Sequence, residues 1–251
     1  MSLDKLPISL VVITLNEEKN IRACIESAPF VSDIVILDSF SKDKTKEIAI
    51  SLGARVFDQS WLGFGPQKNK ATELATYDWV LSLDADECVS PELHAEIRQK
   101  FASLNSTTGY LMPRKSFYLG RWIMHGGWYP DYQLRLFHRQ NSGWNQGEIH
   151  EKVESLKTEK FQSCIQHYVF TSISHQVITN DKYSSLQAKQ MHENKSAAFS
   201  LFRLLVKPPV KFFENYIFKR GFMDGLPGFI IAVGSAYSVF LKHAKLWELK
   251  K

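Results

Sequence analysis

Short apolar runs that alternate with helical patterns constrain this chain of 251 residues more than any other feature. Four runs of strand length are rich in β-branched or other apolar residues: residues 8–15, 34–37, 55–57 and 79–83. Strands that alternate with helices predict βαβ units around a mainly parallel sheet. We therefore expect an α/β, Rossmann-like fold in which helices flank the sheet.

Polar side chains end three of these four runs. Asn16 and Glu17 follow the first run, Asp38 ends the second, and Asp84 with Asp86 follows the fourth. In open α/β sheets, ligands bind beyond the carboxyl ends of the strands. The sequence thus predicts a ligand site at one edge of the sheet.

The carboxylate pair Asp84 and Asp86, with Glu87 beside it, has the chemistry of a metal site. Hard oxygen donors at a strand end can hold Mg²⁺ or Mn²⁺ and leave coordination positions for a diphosphate. The alternative is a solvated acidic turn that caps a helix beginning near Pro91.

Four ordered segments carry a more specific signal: residues 11–18, 34–45, 65–71 and 79–87. Together they resemble the family-two inverting glycosyltransferases, over roughly residues 7–155. This resemblance implies a GT-A type of fold, a nucleotide-sugar donor and a Mg²⁺ or Mn²⁺ cofactor. Residues 128–137 and 147–151 resemble the bacterial branch that adds hexoses to the inner core of lipopolysaccharide.

The resemblance implies roles in nucleotide-sugar binding for six residues, namely Thr14, Asn16, Glu17, Asp38, Lys68 and Asp84. A carboxylate at Asp38 suits the N3–H donor of uracil, although Asp38 can instead cap a helix. Asp86 and His150 are the predicted metal ligands.

An inverting transfer needs a general base for the acceptor hydroxyl. Asp131 and Glu151 are the two candidates for this role, and the sequence leaves both open. Either carboxylate can instead be a buried partner of Arg135 or Arg114. Trp128 is a candidate for stacking on an acceptor sugar, and the Arg135 guanidinium suits a phosphate on the acceptor.

The C-terminal part differs in character, and we predict a boundary between a catalytic domain (1–182) and a helical region (183–251). Residues 203–251 carry nine Lys or Arg against three Asp or Glu, interleaved with aromatic and aliphatic residues. Such a mixture favours an anionic membrane surface over nucleic acid. The alternative is a helical subdomain that packs on the sheet.

Residues 229–241 are apolar over about 13 positions, whereas a span takes about 20, and Pro208-Pro209 predicts a helix break. We therefore expect peripheral association with the inner face of the cytoplasmic membrane. Three widely spaced cysteines favour a reducing compartment, and the N-terminal residues do not form a signal-peptide pattern.

The leading hypothesis is a metal-dependent inverting hexosyltransferase that uses UDP-glucose and a glycolipid acceptor, the heptose–Kdo region of lipopolysaccharide. The same fold can serve capsule, O-antigen or lipid-linked oligosaccharide synthesis. A sugar nucleotidyltransferase is an alternative of another class. A basic glycine-rich loop after the first strand is typical of that class, but the position is occupied by Asn16, Glu17 and Glu18.

Overall fold

A computed structural model describes residues 5–145, 151–193 and 200–251. The chain forms two compact units: unit 1 (Met1–Arg114 and Tyr132–His167) and unit 2 (Lys115–Asp131 and Tyr168–Lys251). This division differs from the boundary predicted after residue 182, which falls inside a helix that begins at Ile173. An unbroken helix packs as one body, so the division lies before the helix.

The strands, in chain order, are β1 (Leu6–Thr14), β2 (Val31–Asp38), β3 (Arg55–Asp58), β4 (Trp79–Asp84), β5 (Glu87–Val89), β6 (Thr108–Tyr118), β7 (Arg121–Trp122), β8 (Asp131–His138), β9 (Gly143–Trp144), β10 (Val153–Glu154), β11 (Lys157–Lys160) and β12 (Ile165–His167). The helices are α1 (Ile21–Glu26), α2 (Thr45–Ser51), α3 (Phe64–Glu73), α4 (Pro91–Lys100), α5 (Ile173–Glu193), α6 (Leu201–Phe213) and α7 (Gly225–Glu248).

The main sheet has the strand order β3-β2-β1-β4-β8-β6-β12-β5. β1 pairs in parallel with β2 and with β4, and β2 pairs in parallel with β3. These are the four runs that the sequence predicted as strands, so the predicted α/β architecture is confirmed. Beyond β4 the pairing is mixed: β4 with β8 and β12 with β5 are antiparallel, whereas β11 pairs in parallel with β6.

Both faces of the sheet are covered by apolar side chains. Ile8, Leu10 and Val12 of β1 belong to one core cluster, and Val11 between them belongs to the other. Successive side chains of a strand point to opposite faces, and a parallel strand covered on both faces is therefore apolar throughout. This is why the first strand shows a continuous apolar run instead of alternation.

Unit 2 contains α5, α6 and α7 together with β7, which pairs with the end of β6. The predicted break at Pro208-Pro209 is wrong, because α6 continues through both prolines. Proline removes a backbone donor and weakens a helix, but ring contacts such as Phe212 with Phe229 pack the end of α6 against α7. The chain turns before α7, where Arg220 and Gly225 have positive φ angles of 56° and 63°. Within α7, a Cβ at Gly228 would lie 1.9 Å from the carbonyl oxygen of Gly221, so only glycine fits there.

Candidate active site

Three parallel strands end together at the predicted edge of the sheet. Thr14 at the end of β1 is in register with Asp38 at the end of β2, and Ile13 is in register with Asp84 at the end of β4. The convergence predicted from the polar residues that follow the strands is therefore present in unit 1.

The Asp38 carboxylate is fully buried and accepts hydrogen bonds from the end of β1 and from the loop after β2. Its Oδ1 accepts hydrogen bonds from the Thr14 hydroxyl at 2.9 Å and the Ser41 hydroxyl at 2.5 Å, and its Oδ2 accepts from the Ser41 backbone N–H at 2.7 Å. The predicted contact to a uracil N3–H stays a prediction, and the carboxylate that would make it is buried among hydrogen bonds within the protein. Sequence patterns could not show this, since the burial depends on β1 pairing with β2.

Asn16 and Glu17 join the loop after β1 to the loop after β2. The Asn16 side-chain oxygen accepts from the Lys42 N–H at 2.8 Å, and the Glu17 N–H donates to the Thr45 hydroxyl at 2.7 Å. Asn16 and Phe40 both adopt positive φ angles, 57° and 64°. Such backbone conformations cost free energy in residues other than glycine and cluster at functional sites.

Asp84 is held by two buried cations. Its Oδ2 lies 2.5 Å from Arg135 Nη2, and its Oδ1 lies 2.9 Å from Lys68 Nζ. Arg135 and Lys68 are only 2% and 3% exposed. Burial would raise the pKa of Asp84, but Arg135 and Lys68 outweigh it and hold that pKa far below its usual range. Asp84 therefore stays ionised.

The ion network extends behind Asp84 to Glu87, which is fully buried. Glu87 Oε1 accepts from Arg135 at 2.7 Å and from Arg114 at 3.1 Å, and Glu87 Oε2 accepts from the Asp84 backbone N–H at 3.0 Å. Arg135 was predicted to bind an acceptor phosphate, but its guanidinium is committed to these two carboxylates. The acceptor role stays a prediction that the described contacts do not support.

Glu151 belongs to the same charged cluster. Lys68 Nζ, which holds Asp84, also donates to Glu151 Oε1 at 3.1 Å and lies 4.4 Å from the centre of the Trp144 ring. One candidate base is thus linked to Asp84 through a single lysine. Asp131, the other candidate, is half-buried and belongs to unit 2.

Trp128 is part of an aromatic cluster in unit 2. Its ring centre lies 5.9 Å from that of Tyr118 and 6.1 Å from that of Phe170. Its predicted stacking on an acceptor sugar stays a prediction.

Asp86 lies beside a histidine that sequence reasoning missed. Its Oδ2 is 3.2 Å from Nε2 of His167, a largely buried residue at the end of β12. The antiparallel pairing of β12 with β5, in which His167 is in register with Glu87, brings it there. No short spacing connects positions 86 and 167, so local patterns carry no signal for this pair. His150, the predicted metal ligand, lies outside the described residues.

These side chains fit a divalent cation that a substrate helps to hold. Mg²⁺ is usually bound by one or two carboxylates together with substrate phosphates, and the Asp86 carboxylate would supply such an oxygen donor. His167 Nε2 lies 3.2 Å from Asp86 Oδ2 and would be the second protein group beside the ion. Burial raises the pKa of Glu17, and the nearby charges of Asp86 and Asp84 raise it further. A cation would relieve this negative field.

The protein offers few side chains that could bind a metal ion at this edge. Among the residues that the structure describes, no group of three or more His, Cys, Asp or Glu side chains is arranged to hold a metal. Asp84 is occupied by its two cationic neighbours, so Asp86 is the carboxylate of the pair that remains for an ion.

Comparison with known proteins decides the family. Residues 9–166 match the model of glycosyl transferase family 2. The chain belongs to this family. It is an enzyme that transfers glycosyl groups, and the resemblance noted from its motifs is confirmed.

Two relatives match almost the whole chain. An uncharacterized glycosyltransferase of Rickettsia typhi is 33% identical, with 96% of this chain and 87% of the relative covered. The lipopolysaccharide core biosynthesis glycosyltransferase LpsC of Rhizobium meliloti is 29% identical, with 97% of this chain and 93% of the relative covered.

The fold has a solved counterpart as well. The crystal structure of S. aureus TarS 1–349 in complex with UDP-GlcNAc matches 98% of this chain and 92% of that chain, with a TM-score of 0.51 and 14% identity. The similarity shows a shared GT-A-like fold: a curled, mostly parallel sheet with flanking helices.

Proposed function

We propose that this family 2 enzyme transfers a hexose, glucose from UDP-glucose, onto a membrane glycolipid with inversion at the anomeric carbon. The proposed acceptor is the heptose–Kdo inner core of lipopolysaccharide, at the inner face of the cytoplasmic membrane. The similarity to LpsC over 97% of the chain supports a core glycolipid as the acceptor. The three cysteines, all free, are compatible with a reducing compartment.

One observation carries the proposed chemistry: Asp86 and His167 meet at 3.2 Å beside an Asp84 whose charge is already neutralised. Asp86 and His167 would hold a Mg²⁺ or Mn²⁺ ion. When bound, that ion supplies neutralisation of the negative charge that develops on the departing nucleoside diphosphate.

The chain itself supplies proton transfer and positioning. A carboxylate takes the proton from the acceptor hydroxyl, the hydroxyl oxygen bonds to the anomeric carbon, and the bond from that carbon to the diphosphate oxygen breaks. Glu151 and Asp131 remain the two candidates. Lys68 positions Glu151 through the 3.1 Å contact, whereas Asp131 begins β8.

The test is a panel of nucleotide sugars with Mn²⁺ or Mg²⁺ and defined core glycolipids. We expect UDP release and a product one hexose heavier, with the opposite anomeric configuration by NMR. Asp86→Asn should lower turnover by at least about a hundredfold and weaken metal-dependent UDP binding in calorimetry. Asp78→Asn, at the other end of β4, is the matched control and should retain activity. Full activity of Asp86→Asn, or no response to any donor, would refute the proposal.

The same assay separates the two candidate bases. Glu151→Gln and Asp131→Asn should differ: the true base loses turnover by about 10²–10⁴-fold with unchanged UDP affinity. Equal and small losses in both variants would show that neither carboxylate takes the proton.

A further inference from the structure

The exposed face of α7 is apolar along its whole length. Leu226, Phe229, Val233, Tyr237 and Phe240 recur at intervals of three or four residues, and each is between 40% and 69% exposed. This spacing places them on one side of a helix. A helix that faces water normally carries polar residues on that side.

The preceding helix, α6, repeats this arrangement. None of its thirteen residues, all of which the structure describes, is buried. Phe202, Leu205 and Phe213 share one face and are 70%, 60% and 53% exposed. Arg203, Lys207 and Lys211 recur every four residues along a neighbouring face. A large apolar face bordered by cations is typical of helices that lie in a membrane interface.

The two helices pack side by side in unit 2, and cations crowd where they meet. Phe229 of α7 contacts Phe212 and Tyr216, with ring centres 5.8 and 5.6 Å apart. Burial lowers the pKa of Lys242 on α7, and the charges of Lys207 and Lys211 on α6 lower it further. Anionic lipid phosphates would relieve this repulsion between like charges.

Length and composition alone would let α7 cross a membrane. The helical stretch Gly221–Glu248, which contains α7, is 28 residues long. Its neighbours argue against this orientation. Lys207 and Lys211 lie beside α7, Asn180 of α5 donates to the Gly234 carbonyl at 3.3 Å, and Lys245 pairs with Asp181 at 2.6 Å. Polar and charged groups thus contact α7 at its middle and near its end. If α7 spanned the membrane, these groups would lie in the hydrocarbon region, at a high cost in free energy.

We propose that α6 and α7 lie flat in the interface of an anionic bilayer as a helical hairpin, with their apolar face toward the acyl chains and their cations at the headgroups. The α6–α7 face consists of Phe202, Leu205 and Phe213 of α6 and of Leu226, Phe229, Val233, Tyr237 and Phe240 of α7. The inference rests on the proposed function in one respect, since a glycolipid acceptor calls for an enzyme at a membrane surface.

The test measures binding of the full chain to vesicles of phosphatidylcholine with and without phosphatidylglycerol. We expect tight binding only with the anionic lipid. Phe202→Ser/Leu205→Ser should lower the partition coefficient by at least about tenfold. Ile178→Ser, which changes an equally exposed residue of α5, should not. Lys207→Gln/Lys211→Gln should lower binding by about tenfold or more, unlike Lys182→Gln/Lys189→Gln on α5.

Orientation is tested with one added cysteine on either side of α7, Lys219→Cys or Lys250→Cys, and an impermeant maleimide added outside the vesicles. The wild type, which carries the same three native cysteines, gives the background labelling. Both added cysteines should react when α7 lies flat, and protection of one end would show a span and overturn the proposal. Unchanged binding of the Phe202→Ser/Leu205→Ser variant would also overturn it. So would a dimer in light scattering that this variant abolishes, because the face would then be a protein interface.

UDP binding without vesicles keeps the two proposals apart. The α6–α7 variants should retain the UDP affinity of the wild type, while their affinity for the vesicles falls. If the wild type binds vesicles through this face but binds no nucleotide, the proposed nucleotide-sugar donor is wrong. The proposal that α6 and α7 lie in the membrane interface is then unaffected.

Discussion

The two units place charge and apolar surface in opposite ways. Unit 1 buries ions: Arg135, Lys68 and Glu87 are almost inaccessible. Arg135 pairs with Glu87 and Asp84, and Lys68 pairs with Asp84 and Glu151. Unit 2 exposes hydrocarbon, most of all Phe202 and Phe218, the latter 80% exposed. An ordinary globular domain does neither on this scale.

Each arrangement costs free energy that something else must offset. Buried ions lose their hydration and persist only when they are paired, as Arg135, Lys68 and Glu87 are in unit 1. Exposed apolar faces persist when a partner covers them. The difference teaches that unit 1 concentrates paired charges at a sheet edge, whereas unit 2 presents apolar helix faces bordered by the cations Arg203, Lys207 and Lys211.

The largest expected effect comes from breaking the buried charge balance of unit 1. Arg135→Met leaves Glu87 without a cation that contacts it at 2.7 Å. We expect a loss of about 3–5 kcal/mol in the free energy of unfolding, measured by urea denaturation. Arg22→Met, which removes an exposed ion pair with Glu26, should cost less than about 1 kcal/mol. Equal losses in the two variants would contradict the network's role.

An intermediate effect is expected at the buried carboxylate of unit 2. Asp224 accepts from the backbone N–H groups of Met124 and His125, at 3.1 and 2.8 Å, and precedes α7. Asp224→Asn should cost about 1–3 kcal/mol, and hydrogen exchange should show faster opening of residues 121–126 and of the start of α7. Vesicle binding should survive if the variant remains folded at the assay temperature. Unchanged exchange in both segments would show that this carboxylate does not hold the loop.

The smallest effect compares two carboxylates that differ in exposure: the side chain of Asp33 is 8% exposed and that of Glu214 is 40% exposed. Burial would raise the pKa of Asp33, but hydrogen bonds from Arg55, Thr76 and Ser9 outweigh it and lower that pKa. Hydrogen bonds from Lys219 and Lys211 lower the pKa of Glu214. Both groups therefore add stability above their unfolded pKa of about 4, and this stability is lost as the pH falls through the lower folded value.

The measurement is the free energy of unfolding at pH 7 and at pH 3 for Asp33→Asn and Glu214→Gln. At pH 7 Asp33→Asn should cost about 1–2 kcal/mol, and Glu214→Gln should cost less than about 1 kcal/mol. Both differences from the wild type should shrink at pH 3. A larger cost for Glu214→Gln would show that exposure does not weaken its ion pairs as expected.

Much of the sheet edge where β1, β2 and β4 end was predictable from the sequence. Apolar runs of strand length followed by Asn16, Asp38 and Asp84 indicated both the sheet and the edge where these residues meet, and the order of the motifs indicated the family. These signals are local, because alternation of elements and the residue that ends a strand depend on neighbours in the chain.

The roles within that edge were not predictable. The buried Asp38 carboxylate accepts hydrogen bonds from Thr14 and Ser41. The Arg135 guanidinium donates to Asp84 and Glu87. The pairing of β12 with β5 places His167 beside Asp86. In α6, packing outweighed the preference of two prolines to break a helix.

By itself, the sequence determined the α/β sheet, the carboxylates at its edge and the basic, apolar character of the C-terminal region. Only the tertiary structure decided which carboxylates are buried and paired, which histidine reaches Asp86, and which sides of α6 and α7 stay exposed. The physical reason is range: propensity and periodicity act over a few residues, whereas burial and ion pairing join positions that are far apart in the chain.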